Sequence, residues 1–197
     1  MSTSAESTAG GRVLPDGRGV RLRAAGYDSP VARELVAAVQ REYVTRYGGP
    51  DEAVVDPAEF APPAGLFLVA EADGEPLGCA AWRVHAPGVV EVKRVYVAAT
   101  ARRLGLASLL MDALEASAAA AGHRAVVLNT GDRQPEAIDL YRRRGYTPVA
   151  GYGVYADSPG AVFLGKLLGD GPPGGGLLRD GLLGGRPAGP EVQPWAS

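Results

Sequence analysis

Residues 90–115 read VEVKRVYVAATARRLGLASLLMDALE. The reading of this stretch decides the fold. Its first part is β-branched and ends Val95-Tyr96-Val97, which predicts a strand over Val89–Val97. Its last part places Leu106, Leu109, Leu110, Ala113 and Leu114 on one face, which predicts a helix over Arg103–Ala121, closed by Gly122. Between them lies Arg102-Arg103-Leu104-Gly105-Leu106-Ala107. Gly105 has no Cβ to hold a ligand off the backbone. The first amides of the helix have no internal partner and face outward at the positive end of its dipole. With two arginines beside them, they form a candidate diphosphate site. The bland alternative is a solvated helix start with a packing glycine.

Working outward, the period changes in a regular way. Val20–Arg23 alternates as a short strand. Ser29–Tyr47 carries Val31, Leu35, Val39 and Tyr43 four apart, an amphipathic helix with Ser29 as cap and Pro30 at its first position. Gly65–Ala72 is a buried strand, and Asp73-Gly74 turns it into a second, Pro76–Val84. Downstream come a strand over Arg124–Leu128, a helix over Pro135–Arg144 closed by Gly145, and two strands, Tyr146–Tyr155 and Ala161–Leu167. The order predicts an α/β (α+β) fold with a mixed, mostly antiparallel sheet of about six or seven strands flanked by helices.

The chain has 197 residues, 46% hydrophobic and 21% charged, with a net charge of −2. That suits one domain. The polar, small-residue opening predicts a flexible segment over 1–18. The Gly/Pro-rich run from Gly169 predicts a flexible tail over 169–197, which leaves a domain at 19–168. A slightly acidic chain offers no nucleic-acid footprint. The most apolar run, Leu104–Ala121, is interrupted by Asp112 and Glu115, so no membrane segment is expected. One cysteine, Cys79, and no apolar leader predict a cytoplasmic protein. Two separated histidines and that cysteine predict no metal site.

Two other phosphate motifs fail. A dinucleotide fingerprint needs three glycines at the strand-to-helix turn, and only Gly105 is there. Gly160–Leu167 matches a P-loop except that Leu167 has no hydroxyl for magnesium, and its interior reads as strand.

The R-x-x-G-x-A turn after Val95-Tyr96-Val97 resembles the acetyl-CoA signature Q/R-x-x-G-x-G/A of the GNAT family of N-acetyltransferases. Gln134-Pro-Glu-Ala137-Ile-Asp-Leu-Tyr141, followed by Gly145-Tyr146, resembles that family's later motif, N-x-x-A-x-x-x-Y-x-x-x-G-F/Y. The likeness spans about residues 20–168 and includes the element order. Within it, LNTGDRQPEAIDLYRRRGY (128–146) is similar to a small bacterial subfamily of uncharacterised activity, in which position 129 is often acidic; here it is Asn129. Arg103 stands where many relatives have Gly.

The resemblance implies a splay between the fourth and fifth strands, Glu91–Val97 and Arg124–Leu128. Acetyl-CoA, the implied co-substrate, would lie in it. Its pantetheine would pair with Val95 and Val97 beside Tyr96, and its diphosphate would sit on the 102–108 turn (Arg102, Arg103, Leu104, Gly105, Leu106, Ala107, Ser108), with Asn129 and Gln134 nearby. The implied reaction is direct attack of a primary amine on the thioester. An amine with pKa near 10 is mostly protonated at pH 7 and must lose a proton, the oxyanion needs a fixed donor, and the thiolate needs an acid. Val95 N–H is the candidate donor and Tyr141 the candidate acid by resemblance; as a bare residue on a helix face, Tyr141 also reads as packing. Glu91, or a water it holds, is the candidate base, and also reads as a paired surface group. His85 is a second candidate base.

The acceptor that the resemblance implies is a small-molecule or peptide amine. Asp51, Glu52, Asp56 and Glu59 form an acidic run that would attract a cationic amine or merely solubilise the surface. Tyr43, Tyr47, Phe60 and Trp82 would form an apolar wall or the underside of a helix. Pairing of last strands would make a homodimer, and a monomer is equally compatible. A non-catalytic acyl-CoA-binding module is the alternative from a different class, since fold does not fix function.

Overall fold

The computed structural model describes residues 9–51, 53 and 55–169. Its elements are β1 (Ala9–Val13), β2 (Gly19–Ala24), α1 (Pro30–Tyr47), β3 (Gly65–Ala72), β4 (Glu75–Ala86), β5 (Val89–Val97), α2 (Leu106–Ala120), β6 (Ala125–Gly131), α3 (Pro135–Arg143), β7 (Thr147–Pro148) and β8 (Ala161–Leu167). The eight strands form one sheet in the order β1-β2-β3-β4-β5-β6-β8-β7. Every pair is antiparallel except β5 and β6.

Helices cover both faces. Ser29 caps α1 by accepting from the Ala32 amide, and Gly48 closes the helix in the left-handed region. The α1 stripe Ala32, Leu35 and Val39 packs with Phe60, Phe67, Val69, Cys79 and Ala81 on one face. On the other face, Leu106, Leu110, Met111 and Leu114 of α2 and Tyr141 of α3 pack on Leu68, Ala80, Val90, Val92, Val126 and Leu128. Alternate residues of β3 to β6 thus face two cores, which is why those strands read as nearly continuous apolar runs.

Sequence expectation and structure part at four places. The sheet has eight strands rather than six or seven. One extra strand, β1, lies inside the segment expected to be flexible: it pairs with β2 (Arg12↔Val20, Val13↔Gly19), and Leu14 after it is buried. Residues 1–8 and 170–197, the rest of the two segments expected to be flexible, lie outside the described residues. The expected strand Tyr146–Tyr155 shrinks to Thr147–Pro148, because the chain folds back at Gly151, where a Cβ would lie 2.6 Å from the Ala156 carbonyl oxygen. Finally, α2 starts at Leu106 and not Arg103, because Arg103 (φ 62°) and Gly105 (φ 82°) are both left-handed, a conformation no α-helix continues through.

Candidate active site

The site begins with a defect in β5. Cys79 pairs with Tyr96 and Ala81 with Lys93, so Arg94 and Val95 together oppose Ala80. This is a β-bulge, and Arg94 takes φ 58° within it. A bulge bends its strand and ends pairing. On its other edge β5 pairs with β6 from Val89↔Ala125 to Val92↔Leu128 and no further, although β5 runs on to Val97 and β6 to Gly131. The two strands part as the resemblance implies, leaving β5 beyond Val92 without a strand partner on this edge, where Arg102 Nε donates to the Val97 carbonyl at 3.1 Å.

A cavity of about 840 Å³ fills that gap. It is lined by β5 from Val92 to Val97, by the end of β6, by the turn into α2, by α3, and by Tyr43 and Tyr47 of α1. Of the residues singled out by sequence, Val95, Tyr96, Val97, Arg102, Arg103, Gly105, Leu106, Ala107, Ser108, Asn129, Gln134 and Tyr141 all line it. The α2 cap position, Gly105, offers no side-chain hydrogen bond, so the first amides of that helix lack a capping partner, and a Cβ on Gly105 would meet nothing within 4 Å. Thr130 Oγ1 donates to Gln134 Oε1 at 3.0 Å, fixing the start of α3 to the end of β6.

Tyr141 is 6% exposed, and burial pushes its phenol well above the usual tyrosine range, so it stays protonated. Its ring leans on Tyr146 at 5.7 Å.

Two expected site residues do not line the cavity. Leu104 packs against the α2-side core instead. Glu91 is 3% exposed and clamped: Arg83 reaches its Oε2 at 2.9 Å and Lys93 Nζ its Oε1 at 3.0 Å. Burial alone would raise its pKa, but Lys93 and Arg83 outweigh it and hold the carboxyl below the usual glutamate range. A carboxylate so engaged is a weak base, and it sits behind Lys93, which does line the cavity. His85 is half-buried against Tyr152, with a ring separation of 4.6 Å and a pKa lowered chiefly by burial.

The expected apolar wall is half right. Tyr43 and Tyr47 face the cavity, whereas Phe60 belongs to the α1-side core and Trp82 to the α2-side core, its indole donating to Ser117 Oγ at 2.7 Å. Of the acidic run, Asp51 lines the cavity, Glu59 pairs with Arg83, and Glu52 lies outside the described residues.

Sequence reasoning missed a buried network. Arg94 Nη1 meets Asp51 Oδ2 at 2.8 Å, Arg94 Nε donates to Tyr27 Oη at 3.3 Å, and Tyr155 Oη donates to Asp51 Oδ1 at 2.7 Å. It ties the bulge to the loop after α1 and to the loop before β8. Its partners are far apart in sequence, and the one local signal was two adjacent cations, Lys93-Arg94, inside an apolar strand. Among the described residues no group of three His, Cys, Asp or Glu is placed to hold a metal ion, and no helix is long and apolar enough to cross a membrane.

Comparison with known proteins agrees with this geometry. The model of the "Acetyltransferase (GNAT) family" matches residues 33–146. An IAA acetyltransferase of Azospirillum brasilense is 33% identical over 136 residues, 68% of this chain and 89% of its own. A Klebsiella pneumoniae crystal structure, provisionally described as an acyl-CoA N-acyltransferase, is 28% identical with a TM-score of 0.66, covering 76% of this chain and 98% of its own. An acetyl-CoA-bound GNAT acetyltransferase from Elizabethkingia anophelis shares the fold at 15% identity, with a TM-score of 0.56 over 76% of this chain and 98% of its own. A strand pair that parts around a bulge, an uncapped helix start beside it and a family model spanning both lead to one assignment: the chain is an acyltransferase belonging to the GNAT acetyltransferase family.

Proposed function

We propose that the protein transfers the acetyl group of acetyl-CoA to a primary amine by direct attack on the thioester. The observation that carries this reading is the cavity at the β5/β6 gap, which gathers an unpaired strand edge, uncapped helix amides and a buried phenol in one space. Pantetheine amides pair with Val95 and Val97 as an added strand would. The diphosphate takes the amides of the 102–108 turn, with Arg103 beside it. Those amides, an open face at Gly105 and flanking arginines fit a diphosphate in charge and shape.

The amine nitrogen attacks the acetyl carbonyl carbon. The Val95 N–H donates to the oxyanion that forms. As the carbon–sulfur bond breaks, Tyr141 donates its proton to the sulfur and is reprotonated from solvent. The proton lost by the amine passes to water in the open cleft, not to Glu91. That carboxylate instead holds Lys93 at the cavity wall, which makes it a positioning residue.

The test incubates the full chain with acetyl-CoA and a panel of primary amines, follows free thiol, and identifies products by mass. Amine-dependent thiol release with an acetylated product is expected. Tight acetyl-CoA binding with no release for any amine would replace the transferase by an acyl-CoA-binding module.

A further inference from the structure

Arg94 combines a strained backbone with a buried charge. Its φ of 58° is left-handed, a region that a residue other than glycine keeps only where its surroundings enforce it. Its side chain is 4% exposed, and a guanidinium taken out of water is costly unless paired. Asp51 meets it from the loop after α1 and is itself held fast. Tyr155 Oη and the Ala53 amide donate to Asp51 Oδ1 at 2.7 and 3.1 Å, and the Asp51 amide donates to Gln40 Oε1 of α1 at 2.8 Å. Burial raises the Asp51 pKa, but Arg94 and the Tyr155 hydroxyl outweigh it, so the pair stays charged at neutral pH. Tyr27, the second partner of Arg94, is stacked on Phe60 with ring centroids 4.8 Å apart. The guanidinium is thus anchored to two fixed groups.

The peptide that follows Arg94 is gripped as well. Its carbonyl accepts from Cys79 Sγ of β4 at 3.2 Å. In a planar trans peptide the N–H points opposite to the C=O. The Val95 N–H is therefore turned away from β4, toward the edge from which β6 has parted.

We propose that the buried Arg94–Asp51 pair is a positioning device, which holds the bulge in its left-handed form and so keeps the Val95 N–H aimed at the thioester carbonyl oxygen. This deepens the transferase reading and rests on it. Both residues act through the backbone of the bulge. A buried ion pair is a poor filler, since two apolar side chains of like volume stabilise as well or better. What it adds is direction, because a planar guanidinium bonded to two fixed groups has one orientation. The strained residue, the pair that fixes it and the N–H beside it work as one unit.

The experiment uses the full chain and acetyl-CoA with an isotope-labelled acetyl carbonyl. Infrared difference spectra read the hydrogen bond to that carbonyl with no amine present. Calorimetry reads the Kd, and thiol release with the best amine of the panel reads kcat and KM. In the wild type the carbonyl band should fall below its frequency in water. Asp51→Asn and Arg94→Met should each lose that shift and lower kcat by about 10²-fold, as loss of an oxyanion donor does. The acetyl-CoA Kd and the amine KM should stay near their wild-type values, because the 102–108 turn is untouched. Arg94→Lys, which keeps the charge without the fork, should retain part of the shift and of kcat. The double variant Arg94→Met/Asp51→Leu separates positioning from stability: it should recover the Tm lost in Arg94→Met but neither the shift nor kcat. Where Arg94→Met does not fold, the double variant and Arg94→Lys carry the test. Single variants that keep the wild-type shift, or a double variant that regains it, overturn the proposal and leave the transferase reading intact. So does a rise in amine KM at unchanged kcat, which would make Asp51 a substrate contact. If no amine accepts an acetyl group but the shift still depends on Arg94 and Asp51, the transferase reading fails and the aimed N–H stands. A wild type that binds acetyl-CoA without a shift overturns the positioning role alone, and one that does not bind it overturns both.

Discussion

Tyr141 and Glu91 are both buried ionisable side chains on elements next to the cavity, yet their surroundings push them toward opposite uses. Tyr141 is surrounded by apolar groups and kept neutral, so it has a proton to give throughout the physiological range. Tyr141→Phe should lower kcat about 10²-fold and leave the calorimetric Kd for acetyl-CoA unchanged; an unaltered kcat would remove it as the acid. Glu91 is surrounded by cations and kept charged. Its substitution by Gln removes the ion partner of Lys93 and leaves Arg83 with Glu59 alone, a loss of about 3 kcal/mol that should lower Tm by about 6–12 °C. The slope of the pH–rate profile should not change. In the wild type, log(kcat/KM) should rise with unit slope up to the amine's own pKa; a break in the acid range that vanishes in Glu91→Gln would restore Glu91 as the base. Sequence brought Tyr141 to the cavity because its motif spacing is local to α3. For Glu91 the strand position says nothing of Arg83 across the sheet or Lys93 two residues on, and these decide what the carboxylate can do.

At the scale of elements, the bulge at Arg94–Val95 and the turn before α2 shape the site, and both rely on left-handed backbone. Gly105→Val should cost about 1–2 kcal/mol through its positive φ, since nothing crowds the position. It should also weaken acetyl-CoA binding by bringing a side chain to the amides; thermal melts with and without acetyl-CoA separate the two effects. Helix α1 was legible from its period and its Ser29-Pro30 start, the hairpin of β3 and β4 from Asp73-Gly74, and helices α2 and α3 from their closing glycines. β1 was not, because Ala9-Gly10-Gly11-Arg12-Val13 shows no alternation and gains its structure only from pairing with β2. The bulge was equally hidden, since it exists as a register shift against β4 and leaves no mark in β5 alone.

Over the whole molecule, ion pairs stitch distant segments together, and several carboxylates carry depressed pKa values because of them: Glu91 and Asp51 inside, Glu71 against Arg23 nearer the surface. A depressed folded-state pKa gives stability that is present above the unfolded value, near 4, and is lost as pH falls through the folded value. His85, whose pKa burial lowers, adds a loss that begins as pH falls below about 6.5. Tm should therefore ease down from there and drop more steeply below about pH 5; a Tm that climbs on acidification would contradict this. The parted strands bear on the apo protein as well. The two halves of the sheet are laced together at one end of β5 and β6 and open at the other, like a zip stopped partway. A donor filling that opening supplies the missing rungs, so amide hydrogen exchange should slow on loading, most of all at residues 95–97 and 129–131, and the β1–β2 margin should exchange as before.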